Sequence, residues 1–158
     1  MFYADRPASA LRVAALAGAQ QLAQAWAAAE KGDKGAQKLL DAVPSGQRSA
    51  GYLFAQAEYL RKQGKFADAA AAVMKAPGDR DALVDPDAWW VERRVLSREL
   101  VDQGDMKTAY QIVAAHAAES AANTVDAEFH AGWYALRGLN DPKLAATHFE
   151  IGRASCRE

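Results

Sequence analysis

The segment of this sequence best suited to ligand chemistry is DPDAWWVERRVLSRELVDQGD, residues 85–105, where two tryptophans stand beside several arginines. Indole faces stack on sugar rings or bases, and guanidinium groups donate paired hydrogen bonds, so the segment could form a carbohydrate platform. In a helix, however, Trp89 and Arg93 lie one turn apart, and Leu96 and Leu100 continue the same stripe. Aromatic residues at this spacing usually pack in a core. We therefore interpret both tryptophans as core residues, with Arg93 stacked on Trp89.

A second stripe of the same predicted helix lies beside the first and carries Trp90, Arg94, Ser97 and Val101. Charged side chains three or four positions apart on a helix can pair with one another, and those at its edge can pair with a neighbouring helix. We expect ion pairs of both kinds among Glu92, Arg93, Arg94, Arg98, Glu99 and Asp102.

A second aromatic segment, DAEFHAGWYALRGL, spans residues 126–139. One helical face is predicted to carry Phe129, Gly132 or Trp133, and Leu136. A glycine inside a helix costs up to about 1 kcal/mol relative to alanine, and a close helix crossing would offset that cost. The segment therefore predicts a tight crossing at Gly132, with Trp133 and Tyr134 packed beside it.

Groups that catalysis or metal binding requires do not converge in the sequence. His116, His130 and His148 are predicted to lie one per helix, and no pair has the i,i+4 spacing of a two-histidine metal site. No G-x-S-x-G turn marks a nucleophile, and the single cysteine, Cys156, lies in an atypical tail. We predict no catalytic residue, no cofactor and no metal ligand in these residues.

Composition favours one helical domain. The chain has 158 residues, about a quarter of them alanine, which is the strongest helix former. The formal net charge of −1 gives no basic surplus for nucleic acid or anionic lipid. No apolar run approaches the roughly 20 residues of a membrane span. The stretch ALRVAALAGA is interrupted by Arg12 and lacks a basic segment before it, so we interpret it as an amphipathic helix and not as a signal peptide.

Helix start and stop signals are clear. Asp85 and Asp141 each precede a proline, which is typical of an N-cap followed by the first helical residue. Gly32, Gly64 and Gly104 follow apolar-periodic runs, where helices end. The predicted helices lie near 7–17, 20–31, 34–42, 47–63, 66–76, 87–103, 106–119, 125–138 and 142–150.

An internal repeat appears when the glycines are aligned. YLRKQGKFADAAAAV (59–73) matches ELVDQGDMKTAYQIV (99–113), and ALRGLNDPKLAATHF (135–149) follows with Asn140 in the glycine position. The offsets are 40 and 36 residues, which is the length of a helix-hairpin repeat. The aligned leucines are Leu60, Leu100 and Leu136, and the aligned alanines are Ala69, Ala109 and Ala145. A weaker earlier copy is predicted around EKGDKGAQKLL.

Such hairpins bury their apolar faces by stacking on one another. We therefore predict an all-α fold over residues 1–149, a right-handed superhelix (α-solenoid) of antiparallel helix hairpins, similar to tetratricopeptide repeats. Neither end carries an obviously polar capping repeat, so we expect this stretch to be a fragment of a longer array. Residues 150–158, EIGRASCRE, break from the alanine-rich pattern and match a translated sequencing-library adapter. We interpret them as a non-native tail.

The chain resembles the superhelical domain that precedes the catalytic domain in proteobacterial soluble lytic murein transglycosylases. The resemblance covers nearly all of 2–149 and is carried by FYADRPASALRVAALAG, RSAGYLFAQAEYLRKQGKFADAA, DPDAWWVERRVLSRELVDQGD and DAEFHAGWYALRGLNDPKLAATHF. Its most specific blocks are Trp89–Arg94 and Glu128–Leu139. The pair Glu119–Ser120 matches the start of the family's catalytic motif, but the Gly-rich segment that should follow is missing. We interpret the pair as a helix end.

The resemblance implies a periplasmic parent enzyme that cleaves peptidoglycan without water and leaves 1,6-anhydro products, using one glutamate as acid and then as base. That catalytic domain is not in these residues. The helical domain of the family supports the catalytic domain and offers a broad surface to glycan strands, and Trp90 or Arg94 could line its concave face. The expected partners are therefore glycan strands and the catalytic domain, with no nucleic acid and no membrane span.

Two alternatives stay open from the sequence. One is a tetratricopeptide-like adaptor that binds a protein or peptide in its groove. The weaker one is a complete small enzyme, which lacks a catalytic constellation.

Overall fold

The computed structural model describes residues 2–4 and 6–155, and this part of the chain forms helices, turns and loops without a strand. The predicted all-helical character is confirmed. The α-helices of the described residues, numbered in chain order, are α1 Pro7–Ala14, α2 Gln20–Lys31, α3 Ala36–Asp41, α4 Ala50–Lys62, α5 Phe66–Val73, α6 Arg80–Leu83, α7 Pro86–Asp102, α8 Met106–Ala114, α9 Ala121–Arg137 and α10 Pro142–Ser155. Short 3₁₀ turns lie at Phe2–Ala4 and Ser45–Gln47.

Each predicted helix coincides with an observed one, but several ends differ. Helix α8 stops at Ala114, five residues before the predicted end, and α9 begins at Ala121 instead of near 125. The early start of α9 follows from Ser120, whose hydroxyl accepts a hydrogen bond from the amide of Asn123 at 3.4 Å and caps the helix. The pair Glu119–Ser120 therefore precedes a helix and does not end one. The one-turn helix α6 was not predicted.

Helix α10 continues to Ser155, beyond the predicted end near 150. An added Cβ at Gly152 would lie 3.2 Å from the Cβ of Glu128, so the extension packs closely on α9. Cys156 lies outside the described residues. The interpretation of 150–158 as a non-native tail stays a prediction.

The chain divides into two compact units, one up to Ala76 and one from Pro77 onward. The first unit contains α1 to α5. Helix α2 packs against α1, α3 and α4, and α4 packs against α5. Gly32 ends α2 in the left-handed conformation with φ 69°, which creates the predicted turn into α3.

Trp26 on α2 is the centre of the aromatic core of the first unit. Its ring stacks on Phe2 with centroids 4.7 Å apart, meets Tyr3 edge-on at 5.1 Å and lies 5.7 Å from Phe54. A Cβ built on Gly51 would come within 2.7 Å of the indole, so glycine is needed where α4 crosses α2.

The second unit contains the helix pairs α7–α8 and α9–α10, with α9 packed against both α7 and α8. Both predicted aspartate caps are confirmed. Asp85 accepts a hydrogen bond from the amide of Ala88 at 2.9 Å, and Asp141 accepts one from Leu144 at 2.9 Å. Each cap satisfies an amide that the first helical turn leaves unpaired.

The turns of the three aligned repeats share one backbone conformation. Gly64, Gly104 and Asn140 have φ of 71°, 83° and 54°. Asparagine is the residue that most readily replaces glycine in this left-handed region. The alignment of Asn140 with the two glycines is thus confirmed by geometry.

The aligned alanines are also equivalent. Ala69, Ala109 and Ala145 are all buried, each in the second helix of its pair. A methyl side chain at this position lets the two helices approach closely.

Candidate functional site

Trp89 and Arg93 are packed together inside the second unit. Both residues are buried, and the guanidinium carbon of Arg93 lies 6.0 Å from the centroid of the Trp89 ring. The Nη1 of Arg93 donates a hydrogen bond to the carbonyl of Ile112 on α8 at 2.8 Å. Burial lowers the pKa of Arg93 to about 10. The core interpretation of this pair is confirmed, and neither side chain is available as a carbohydrate platform.

Trp90 and Arg94 connect α7 to α9 through one carboxylate. The Nε1 of Trp90 and the Nη1 of Arg94 both donate to Oδ2 of Asp126, at 3.0 and 2.8 Å. Burial alone would raise the pKa of Asp126, but the hydrogen bonds from Arg94 and Trp90 and the nearby His130 bring it below the ordinary value. Trp90 is fully buried, so the suggestion that it lines an exposed face is wrong.

Of the two kinds of ion pair expected around α7, the kind that joins neighbouring helices is observed between Arg94 and Asp126. It joins two helices, and its two side chains are each 31% exposed. Arg94 is therefore engaged in helix packing.

His130 and Tyr134 continue the same seam on α9. The Nδ1 of His130 donates to the carbonyl of Asp126 at 2.7 Å, and the His130 ring lies 5.6 Å from that of Trp90. The hydroxyl of Tyr134 lies 3.1 Å from Oγ of Ser97. These contacts give His130, Ser97 and Tyr134 hydrogen-bond partners inside the interface.

Glu128 is the centre of a buried network that the sequence did not predict. Its Oε1 lies 3.1 Å from Nε2 of His116, and its Oε2 lies 2.6 Å from Nδ1 of His148. The Nε2 of His148 lies 3.1 Å from the hydroxyl of Tyr110. Four side chains from α8, the loop after it, α9 and α10 therefore form one continuous hydrogen-bonded path.

One expectation about the histidines is wrong: His116 lies in the loop at 115–120 and not in a helix. Each histidine also lies beside a carboxylate, His116 and His148 beside Glu128 and His130 beside Asp126, a pairing that the sequence did not predict. A signal was present: Glu128, Ala131 and Ala135 share a stripe at spacings of three and four, so the carboxylate faces the same packed side as the alanines.

The network connects α8, the loop at 115–120, α9 and α10 through hydrogen bonds. Two imidazoles flank one carboxylate, and each can donate a ring N–H to it. Among residues 2–4 and 6–155, no group of three or more His, Cys, Asp or Glu side chains is arranged to hold a metal ion.

Asp87 near the start of α7 holds the loop before α9. Its Oδ1 accepts hydrogen bonds from the amides of Glu119 and Ser120 at 2.9 and 3.2 Å. Burial would raise the pKa of Asp87, but these hydrogen bonds lower it below the ordinary value. Glu119 is exposed and its backbone is used in this contact, as expected for a structural position.

The predicted close crossing at Gly132 is confirmed. A Cβ built there would lie 2.5 Å from Cε1 of Phe149 on α10. Trp133 is less packed than expected, because its side chain is substantially exposed beside Phe129 and Leu136. A groove of about 170 Å³ lies between α9 and α10 and is lined by Val125, Phe129, Phe149, Gly152 and Arg153.

No family model, curated protein or solved structure matches this chain. None of the described helices combines the length and apolarity that crossing a bilayer requires.

Proposed function

We propose that this chain is the non-catalytic helical scaffold of a periplasmic peptidoglycan lytic transglycosylase. In this proposal its helix pairs stack as antiparallel hairpins into a right-handed superhelix, similar to tetratricopeptide repeats. The scaffold supports a lysozyme-like catalytic domain of the parent enzyme and offers a surface to glycan strands. Glycosidic bond cleavage belongs to the catalytic domain and to none of the residues described above.

The observation that carries the proposal is where the two most specific blocks of the resemblance meet. Trp90 and Arg94 of the first block contact Asp126 and His130 on α9, and Ser97 contacts Tyr134. His130 and Tyr134 belong to the second block, Glu128–Leu139. Trp90 and His130 join the two blocks directly, and Asp126 and Ser97 beside the blocks add hydrogen bonds that fix one helix pair against the next, which is the role of a scaffold.

Repeated construction also supports the proposal. The turns at Gly64, Gly104 and Asn140 share the left-handed backbone conformation, and the buried alanines recur at the aligned positions. A chain built from such units holds a surface in shape without needing a catalytic cluster of its own.

The test is to determine the reading frame of the locus and the activity of the protein that it encodes. We expect the frame to continue past Phe149 into a lysozyme-like region. The full-length protein should release 1,6-anhydromuropeptides from purified sacculi, and the 158-residue chain should release none. A stop codon directly after Glu158, or release of anhydromuropeptides by the short chain, would overturn the proposal.

An adaptor that binds a protein or peptide is the second candidate. The exposed aromatic side chains of Phe129 and Trp133 favour it, because exposed apolar clusters commonly mark protein contacts. The locus again separates the two functions: an adaptor requires an open reading frame without a lysozyme-like region.

A further inference from the structure

Besides Ile151, four large apolar side chains of α9 and α10 are exposed to solvent, and we call these four the exposed strip. They are Phe129, Trp133, Leu136 and Phe149, with exposed fractions of 55%, 41%, 40% and 36%. The first three follow one another at spacings of four and three along α9, so they share one helical face. Phe149 on α10 lies beside them, with its ring 6.3 Å from that of Phe129.

The internal repeat assigns each residue of the exposed strip a counterpart 36 positions earlier. Every counterpart on α7 and α8 is buried: Arg93, Ser97, Leu100 and Val113 have exposed fractions of 3%, 0%, 1% and 0%. The same repeat positions are thus covered in the α7–α8 pair and uncovered in the α9–α10 pair.

The α9–α10 pair packs on the α7–α8 pair and covers part of its surface. Tyr134 on α9 contacts Ser97, and His148 on α10 contacts Tyr110. Gly138 at the end of α9 lies so close to Met106 that an added Cβ would be 2.7 Å from the Met106 Cβ. One hairpin therefore docks on its predecessor through contacts along both helices.

We propose that the exposed strip is the docking surface for a further helix hairpin of the same repeat class, continuous with this array. Successive hairpins that follow the same 36-residue step meet the same face, so an established interface continues onto the exposed strip. This inference holds for the scaffold and for the adaptor alike, because it depends on the repeat geometry of the second unit and not on catalysis.

The strip also specifies the chemistry of its occupant. Trp133 stands where the earlier repeat has Ser97, which faces the large side chain of Tyr134. Two large residues cannot occupy one such position at the same helix separation. The incoming hairpin must therefore present a small residue opposite Trp133 and apolar side chains opposite Phe129 and Leu136.

Trp133 provides a direct readout, because the other three tryptophans, Trp26, Trp89 and Trp90, are buried. Quenching of native tryptophan emission by iodide therefore reports mainly on Trp133. The test compares the chain with a fusion in which residues 1–150 are followed by a second copy of residues 115–155. Because residue 115 of the second copy follows residue 150, each copied residue lies 36 positions after its original. Two residues of the second copy are replaced. The residue that corresponds to Tyr134 becomes alanine, because it will lie opposite Trp133 of the first copy. The residue that corresponds to Trp133 becomes serine, which removes the second fluorophore.

We expect the fusion to lose at least half of the iodide-accessible emission and to gain helical circular dichroism in proportion to its added length. Leu136→Glu in the fusion should restore quenching, whereas Leu11→Glu, at a site of similar exposure in the first unit, should leave Trp133 protected. Unchanged quenching in a fusion whose added hairpin is helical would overturn the proposal.

Protection of Trp133 that appears in the unfused chain as its concentration rises would identify a second copy as the occupant, and would also overturn it. The scaffold function is tested by other experiments, namely the reading frame of the locus and the digestion of sacculi. Neither of those results changes the quenching outcome.

Discussion

The Nδ1 of His148 lies 2.6 Å from Oε2 of Glu128, and this contact ties α10 to α9 inside the second unit. The other carboxylate oxygen is 3.1 Å from Nε2 of His116, so the same side chain also holds the loop after α8. One buried carboxylate therefore connects three consecutive segments, the loop at 115–120, α9 and α10.

Replacing Glu128 with alanine should destabilise the second unit by about 1–3 kcal/mol, the usual cost of leaving buried polar partners without hydrogen bonds. His116 and His148 would both lose the carboxylate that they contact. The free energy of unfolding, measured by urea titration with circular dichroism, gives the result. Glu150→Ala on the exposed side of α10 is the matched control and should change it by less than about 0.5 kcal/mol. Equal effects of the two substitutions would contradict the role of the network.

Asp126 should make the free energy of unfolding depend on pH in the acidic range. Burial raises its pKa, but the hydrogen bonds from Arg94 and Trp90 outweigh burial, so the folded pKa lies below the ordinary value of 3.8. A carboxylate with a lowered folded pKa contributes stability that is fully present above its unfolded pKa and is lost as the pH falls through the folded pKa. The wild-type chain should therefore lose stability more steeply than Asp126→Asn between about pH 5 and pH 3.

The control for this pH dependence is Asp102→Asn, an exposed position at the end of α7. It should leave the acid-dependent slope of the unfolding free energy unchanged. At neutral pH, Asp126→Asn itself should cost about 1.5 kcal/mol, because it weakens hydrogen bonds to a charged acceptor. Parallel slopes for wild type and Asp126→Asn would show that other acids carry the effect. The candidates are Asp87 and Asp105, and the pKa of Asp105 is also lowered, by its hydrogen bonds with Thr108 at the start of α8.

The turns and caps of this fold were predictable because neighbouring residues determine them. Asp85 and Asp141 reach amides only three residues ahead, and Gly64, Gly104 and Asn140 adopt a backbone conformation that depends on residue type. Such features leave a local signature that a sequence displays directly.

The Glu128 network was not predictable in the same way. Its partners lie 12 and 20 positions away, and they meet only after α10 and the loop at 115–120 have packed against α9. Periodicity could place Glu128 on the buried face of its helix, but it could not identify which side chains of other segments would face it. The exposure of Trp133 was missed for the same reason, since the face that a helix buries depends on what packs there.

Trp90 and Trp133 should differ strongly in their contribution to stability, although both are tryptophans in segments that carry the resemblance. Trp90→Ala removes a fully buried side chain and its hydrogen bond to Asp126, and should cost about 3–5 kcal/mol. Trp133→Ala removes a half-exposed side chain and should cost less than about 1 kcal/mol in the isolated chain. Urea unfolding at neutral pH measures both. Comparable losses would show that the exposed strip is already covered in solution.

Gly138 should be irreplaceable where α9 ends against α8. An added Cβ would lie 2.7 Å from the Cβ of Met106 and 2.8 Å from the carbonyl oxygen of Tyr134, and neither atom can move without shifting a helix. Gly138→Ala should therefore lower the free energy of unfolding by about 1–3 kcal/mol, as overpacking does in tight interfaces. Gly35→Ala is the matched substitution, because its added Cβ would meet no atom within 4 Å and its φ is −87°. By restricting the unfolded chain, that change should be neutral or should stabilise by up to about 1 kcal/mol. If both variants unfold at the same urea concentration, α9 and α8 do not approach each other as closely as Met106 and Gly138 indicate.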